Sequence, residues 1–224
     1  MGSKNKLKRF RENETFPNVI QPEREELLSG NFDHRNSWSR FFGNDYPIVL
    51  ELGCGKGEYT LGLARRYPQK NYIGVDIKGA RIWRGAKTAL EENLNNVAFL
   101  RTNIELIDLI FGPDEISEIW ITFPDPQIKY KRTKHRMTNP GFIEKYRKVL
   151  VPEGKVHLKT DSEFMHGYTL GVLQASRIPV IYSNHDIYHN SGAPSDAIEI
   201  QTFYEQQFLG EGKAITYLSF ELNA

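Results

Sequence analysis

From Ile48 onward the chain alternates short apolar runs with longer stretches in which apolar residues recur every three or four positions. The runs at 48–52 (Ile-Val-Leu-Glu-Leu), 72–75, 97–100, 119–123 and 156–160 have the length of strands buried on both faces, and they predict five strands. The stretches between them predict helices over 57–67, 78–93, 104–111, 140–150 and 162–175. Such alternation predicts an α/β architecture, a mostly parallel, doubly wound sheet with helices on both faces. Two later apolar segments, 178–182 and 214–220, flank a polar loop and a short helix predicted over 201–208; they read as final strands, with antiparallel pairing as one option.

Residues 1–40 carry neither period. Their acid-free basic run, Lys4, Lys6, Lys8, Arg9 and Arg11, is accompanied by Phe10, Phe16, Phe32 and Trp38. Two readings stay open for this extension: a frayed terminus, or a basic arm that orders on RNA. Residues 41–224 read as one domain, with no repeat or low-complexity tract to divide it.

Composition sharpens the picture in three places. A hydrophobic fraction of 39% with 25% charged residues belongs to a globular protein, and one cysteine excludes an internal disulfide. The start resembles no secretory signal and no apolar run approaches the ~18 residues of a membrane span, so a soluble, cytoplasmic protein without a membrane partner is expected. A net charge of +1 announces no polyanion, yet the charge is segregated: Lys129, Lys131, Arg132, Lys134 and Arg136 form a second basic run.

The segment Glu51-Leu-Gly53-Cys-Gly55-Lys-Gly57 joins a predicted strand to a predicted helix, where glycines let the backbone turn tightly and approach a ligand. The plain alternative is a strand-to-helix turn without a ligand. Glu51 separates this turn from a dinucleotide loop: a carboxylate opposes a pyrophosphate but suits S-adenosylmethionine, which carries an ammonium and a sulfonium and no phosphate. Asp76, ending the second strand, is the candidate acceptor for a ribose diol. Asn103 either binds an adenine edge or caps the helix that follows it. Cys54 reads as a packed small side chain rather than a nucleophile, and His185 with His189, at i, i+4 but without a third ligand, predicts no metal site.

After the fourth strand the chain reads Thr122-Phe-Pro-Asp-Pro-Gln-Ile-Lys-Tyr-Lys-Arg-Thr-Lys-His-Arg-Met137. Asp125 stands between two prolines at the carboxyl end of a predicted parallel strand, where ligands bind in such sheets. The basic residues beyond it suit phosphates, the plain alternative being a solvated charged loop.

These features together resemble the bacterial tRNA (guanine-N7-)-methyltransferase family, which has an acid-led glycine loop, a Phe-Pro-Asp-Pro segment followed by basic residues, a Thr-Asp pair and a late T-x-x-E. All four occur here in order: Glu51 to Gly57, Phe123 to Pro126 with Lys129 to Arg136, Thr160-Asp161, and Thr202-Phe203-Tyr204-Glu205. The resemblance covers roughly residues 45–220. It implies a Rossmann-like class I methyltransferase fold, S-adenosyl-L-methionine as cofactor and tRNA rather than DNA as partner. It further implies that Glu51, Gly53, Gly55, Gly57, Asp76, Asn103 and Asp125 line the cofactor site, and that Lys129, Asp161 and Thr202 to Glu205 meet the guanine or its nucleotide. Lys131, Arg132, Thr133, Lys134, His135 and Arg136 would contact the RNA, and Asp125 and Asp161 would be the catalytic residues. The chain departs from the family pattern at Gln127, commonly tryptophan, and at Asp76, commonly glutamate.

Guanine N7 already offers a lone pair, so methyl transfer needs no strong base and alignment can supply most of the acceleration. Carboxylates accepting from guanine N1–H and its exocyclic amine would select guanine and favour the growing positive charge, a role that Asp161 and Glu205 fit. Rival readings are a small-molecule methyltransferase, a catalytically silent RNA-binding protein on the same fold, and a nicotinamide dehydrogenase, the last opposed by Glu51 and the glycine spacing.

Overall fold

The computed structural model describes residues 3–222, with side chains from residue 5, so the side chain of Lys4 lies outside the described residues. The chain forms two compact units, one ending at Gly112 and the other starting at Pro113.

The first unit runs α1 (Ser3–Asn13), β1 (Val19–Ile20), α2 (Arg24–Ser29), α3 (Trp38–Phe42), β2 (Ile48–Leu52), α4 (Glu58–Arg66), β3 (Asn71–Asp76), α5 (Gly79–Glu91), β4 (Val97–Arg101), a 3-10 turn (Ile104–Leu106) and α6 (Ile107–Ile110). Its strands are parallel in the order β1-β4-β3-β2, with Leu50 opposite Ile73 and Ile73 opposite Ala98. Every residue of β2 and β3 is buried, which is why these strands read as unbroken apolar runs instead of alternating ones. The single helix predicted over 104–111 divides into the 3-10 turn and α6.

Residues 1–40, featureless in sequence, are built into this unit wherever they are described. Val19 and Ile20 pair with Phe99 and Leu100, extending the sheet by a parallel edge strand. Asn13 Nδ2 donates to Gly79 O at 2.8 Å, and the Arg9 guanidinium lies 4.5 Å from the Trp83 ring centre, so α1 is seated on α5. Trp38 is fully buried, stacked on Phe111 at 5.2 Å. β1, α2 and α3 leave no period in the sequence because they are two, six and five residues long, shorter than the window in which a period can register.

The second unit runs β5 (Ile116–Thr122), a 3-10 helix (Tyr130–His135), α7 (Pro140–Val149), β6 (Leu150–Thr160), α8 (Glu163–Ala175), β7 (Val180–Asn184), α9 (Ser195–Glu199), α10 (Phe203–Gly210) and β8 (Thr216–Glu221). Strand β6 pairs in parallel with β5 and antiparallel with β8, and β8 pairs antiparallel with β7. The last two apolar segments are therefore antiparallel strands. β6 starts six residues earlier than its apolar run, at Leu150, with a shift of register between Ile116 and Glu118 in the facing strand. Asn139 caps α7 by accepting from Phe142 N, with proline at the first helical position, and Ser162 Oγ caps α8 by accepting from Met165 N. No helix among the described residues is long and apolar enough to cross a membrane.

Candidate active site

In the first unit the glycine turn leaves β2 with Gly53, Gly55 and Gly57 all at positive φ (79°, 57° and 73°), a region costly for residues with a Cβ. Gly57 is constrained twice, since a Cβ there would lie 2.5 Å from the Phe99 ring. The turn is tied to β3 by Gly53 N and Cys54 N, which donate to Val75 O at 2.8 and 3.1 Å. Asp76 braces it from the end of β3: Oδ2 accepts from Gly55 N at 3.0 Å, and Oδ1 accepts from Lys78 N at 2.8 Å.

Glu51 is buried, and its Oε2 accepts from both the backbone N–H (2.8 Å) and the hydroxyl of Thr60, in the first turn of α4. A carboxylate thus already occupies the positive end of that helix. A pyrophosphate seeks that same end, so the arrangement opposes a dinucleotide and fits a cationic ligand. The Cys54 thiol is pushed well above its usual range by burial and then by the nearby Glu51 and Asp76 carboxylates, so it stays neutral and acts as a space-filling group. Asn103 stands at the start of the 3-10 turn, but its side chain makes no capping hydrogen bond and is exposed. Of its two sequence readings, helix capping is not what the side chain does.

In the second unit Phe123 and Gln127, both at φ 47°, bracket the Phe-Pro-Asp-Pro segment. Left-handed residues other than glycine are uncommon and gather at functional sites. Phe123 N donates to Lys159 O at 2.8 Å, and exposed Asp125 accepts from Gln127 N through Oδ1 at 3.0 Å, closing a tight turn. Lys129, Lys131, Arg132, Lys134 and His135 are exposed, with Thr133 half-buried. Arg136 is placed differently. It is only 6% exposed, donates from Nε and Nη2 to Gln127 O (3.2 and 3.1 Å) and from Nη2 to Ile128 O (3.2 Å), and lies over the rings of Phe164 and Tyr168.

Asp161, half-buried just beyond β6, has Lys213 Nζ 3.6 Å from Oδ2. Thr202 and Glu205 form a reciprocal capping box at the start of α10: Thr202 Oγ1 accepts from Glu205 N, and Glu205 Oε2 accepts from Thr202 N, each at 3.2 Å. Phe203 and Tyr204 between them are exposed, their rings edge to face at 5.8 Å. The Glu205 carboxylate is turned away from solvent, taken up by the Lys159 ammonium and by the Tyr188 hydroxyl, which donates to Oε1 at 2.7 Å. Sequence reasoning missed Lys159 and Tyr188. The signal for Lys159 was present, because a lysine inside an apolar strand needs a buried partner; Tyr188 carries no comparable signal.

His189 pairs with Asp186 at 2.8 Å, and the His185 ring lies 4.4 Å from that of His166. Among the described residues no three His, Cys, Asp or Glu side chains are grouped to hold a metal ion.

A family model described as a putative methyltransferase matches residues 45–218. A tRNA (guanine-N(7)-)-methyltransferase of Christiangramia forsetii is 65% identical over 99% of this chain and the whole of that protein. One from Bacteroides thetaiotaomicron is 50% identical over 98% of this chain and 86% of its own, and one from Brevibacillus brevis 34% identical over 81% and 84%. Among solved structures, the 16S rRNA methyltransferase KamB aligns with a TM-score of 0.64 at 12% identity, covering 84% of this chain and 94% of its own. At that identity the likeness concerns the fold alone, the Rossmann-like class I methyltransferase fold. With an acid-capped glycine turn, a Phe-Pro-Asp-Pro turn leading into exposed cations and relatives matched over nearly their full length, the chain belongs to the bacterial tRNA (guanine-N(7)-)-methyltransferase family.

Proposed function

We propose that this chain transfers a methyl group from S-adenosyl-L-methionine to N7 of a guanine in tRNA. The observation that carries the cofactor half is Glu51, which neutralises the start of α4 and leaves an acidic turn suited to a cation. Gly53, Gly55 and Gly57 allow close backbone approach, Asp76 keeps a lone pair on each oxygen for a ribose diol, and the exposed Asn103 amide meets the adenine edge. In the second unit, exposed Asp125 is the residue assigned to the cofactor. The bound cofactor supplies an electrophilic methyl group on a sulfonium.

For the guanine, Asp161 is the acceptor for N1–H and the exocyclic amine, with Lys129, Phe203 and Tyr204 holding the nucleotide. Thr202 and Glu205 act through the capping box that presents those two rings, since the Glu205 carboxylate is engaged internally. No residue need remove a proton from N7, so the residues bind and align. Exposed Lys131, Arg132, Lys134 and His135, with Thr133, receive phosphates of the RNA. A cytoplasmic location follows from that substrate.

Transfer of labelled methyl to unmodified tRNA, followed by nucleoside analysis, tests the proposal. 7-Methylguanosine is the expected product; label on another atom removes the guanine-edge roles, and no transfer by protein that still binds the cofactor removes the reaction. Asp161→Asn is expected to retain cofactor binding and lose about 10²-fold or more in turnover.

A further inference from the structure

Tyr130 is 93% exposed, and it opens the 3-10 helix Tyr130–His135 in the middle of the second basic run. Lys129, Lys131, Arg132 and Lys134 are exposed around it. The backbone beneath the ring is firmly held. Thr133 Oγ1 donates to Tyr130 O at 2.6 Å, and Arg132 N donates to Lys129 O at 2.8 Å. Arg136 donates to the carbonyls of Gln127 and Ile128, and Asn139 Nδ2 donates to those of Lys134 and Arg136 at 2.8 and 2.9 Å.

A clamped turn that projects one aromatic ring among four cations has a specific chemical complement. Cations alone would accept the backbone of any nucleic acid, paired or unpaired. A solvent-facing π-surface adds an interaction that only an unpaired base can satisfy, because bases inside a duplex already stack on their neighbours. Preorganisation of the turn reduces the ordering cost of that interaction. A lipid surface is a poorer match: Tyr130 and Ile128 do not make the continuous apolar face by which interfacial segments insert.

We propose that Tyr130 is a base-stacking residue, its ring receiving an unpaired RNA base while Lys129, Lys131 and Arg132 meet the flanking phosphates. The identity of the natural RNA rests on the tRNA reading above; the stacking itself does not depend on methyl transfer.

The test measures binding of the full chain and of its Tyr130→Ala, Tyr130→Phe and Tyr130→Trp variants to a short single-stranded oligouridylate, a blunt RNA duplex and phosphatidylserine vesicles. Tyr130→Ala is expected to lose about tenfold in affinity for the single strand, and Tyr130→Phe and Tyr130→Trp to stay within about twofold of the parent or above it. The salt slope should not change, since no charge is removed, and duplex binding should be unaffected. Unchanged single-strand affinity in Tyr130→Ala overturns the proposal, as does a loss confined to the vesicles. A parent that methylates tRNA while Tyr130→Ala binds single strands normally refutes the stacking alone; a parent that methylates nothing while Tyr130→Ala binds them weakly refutes the tRNA reading alone. Because the ring is exposed, the variants should melt with the parent, and a shifted melt would show instead that the ring is structural.

Discussion

Lys159 Nζ lies 2.7 Å from Oε1 and 2.8 Å from Oε2 of Glu205, and the two side chains are both 0% exposed. The ammonium also donates to Ile200 O at 3.0 Å, and the Tyr188 hydroxyl, its pKa raised by burial and then by Glu205, completes the cluster. The pair ties the first turn of α10 to strand β6. Removing one member strands the other without water, whereas replacing both with apolar groups does not. Lys159→Met and Glu205→Gln should each cost about 3–5 kcal/mol in urea unfolding, and Lys159→Met with Glu205→Leu should recover only part of that loss, because the Tyr188 hydroxyl and Thr202 N–H still lose their acceptor. Single variants as stable as the parent would show that something else anchors α10.

Gly57 and Gly212 share a φ of 73° but differ in surroundings: a Cβ at Gly57 meets the Phe99 ring at 2.5 Å, and one at Gly212 meets nothing within 4 Å. Gly212→Ala should cost only the backbone strain, about 1–2 kcal/mol. Gly57→Ala should cost more and should also weaken cofactor binding, because relieving the overlap moves the turn. Calorimetric titration with the cofactor beside thermal melts distinguishes the two variants; equal behaviour would mean the turn absorbs the added methyl.

Arg136 and its basic neighbours should respond differently to truncation. Alanine at Lys131, Arg132 or Lys134 should leave the melting temperature alone and lower the salt slope of RNA binding by about 0.7–0.9 for each phosphate that the side chain neutralised. Arg136→Ala removes charged donors from two carbonyls and a cation from two aromatic rings, so it should lower stability by about 2–3 kcal/mol. A normal melt combined with a reduced slope would make Arg136 a phosphate ligand like the others.

His166 makes the stability of the fold depend on pH. Burial first, and the neighbouring His185 ring second, lower its pKa from 6.5 to about 4, and Nδ1 has no hydrogen-bond partner among the described residues. The unfolded chain therefore takes up the proton first as pH falls. The neutral histidine's contribution is fully present above about pH 6.5 and is lost progressively toward pH 4, on the order of 1–3 kcal/mol. Melting of the parent should fall over that window, and His166→Leu should flatten the decline; an undiminished decline would place its origin elsewhere.

What the sequence determined by itself was whatever is encoded by near neighbours. Alternating apolar runs and amphipathic stretches specify β2 to β6 and the helices between them, because burial on two faces or on one stripe leaves its period in the chain. Gly53, Gly55 and Gly57 mark a turn that must take positive φ, and Lys129 to His135 mark a cationic surface. Only the tertiary structure decided which of these groups meet and which meet water. Lys159 and Glu205 stand 46 positions apart, and their pairing exists because β6 and the capped start of α10 pack together. Arg136 belongs to a basic run by composition but to the interior by geometry, since two carbonyls and two aromatic rings compete successfully with water for its guanidinium. Asn103 could have capped a helix, and the described N-terminal residues could have lain outside the fold. Side-chain direction settled the first and an edge-strand pairing settled the second, and neither leaves a trace in local residue order.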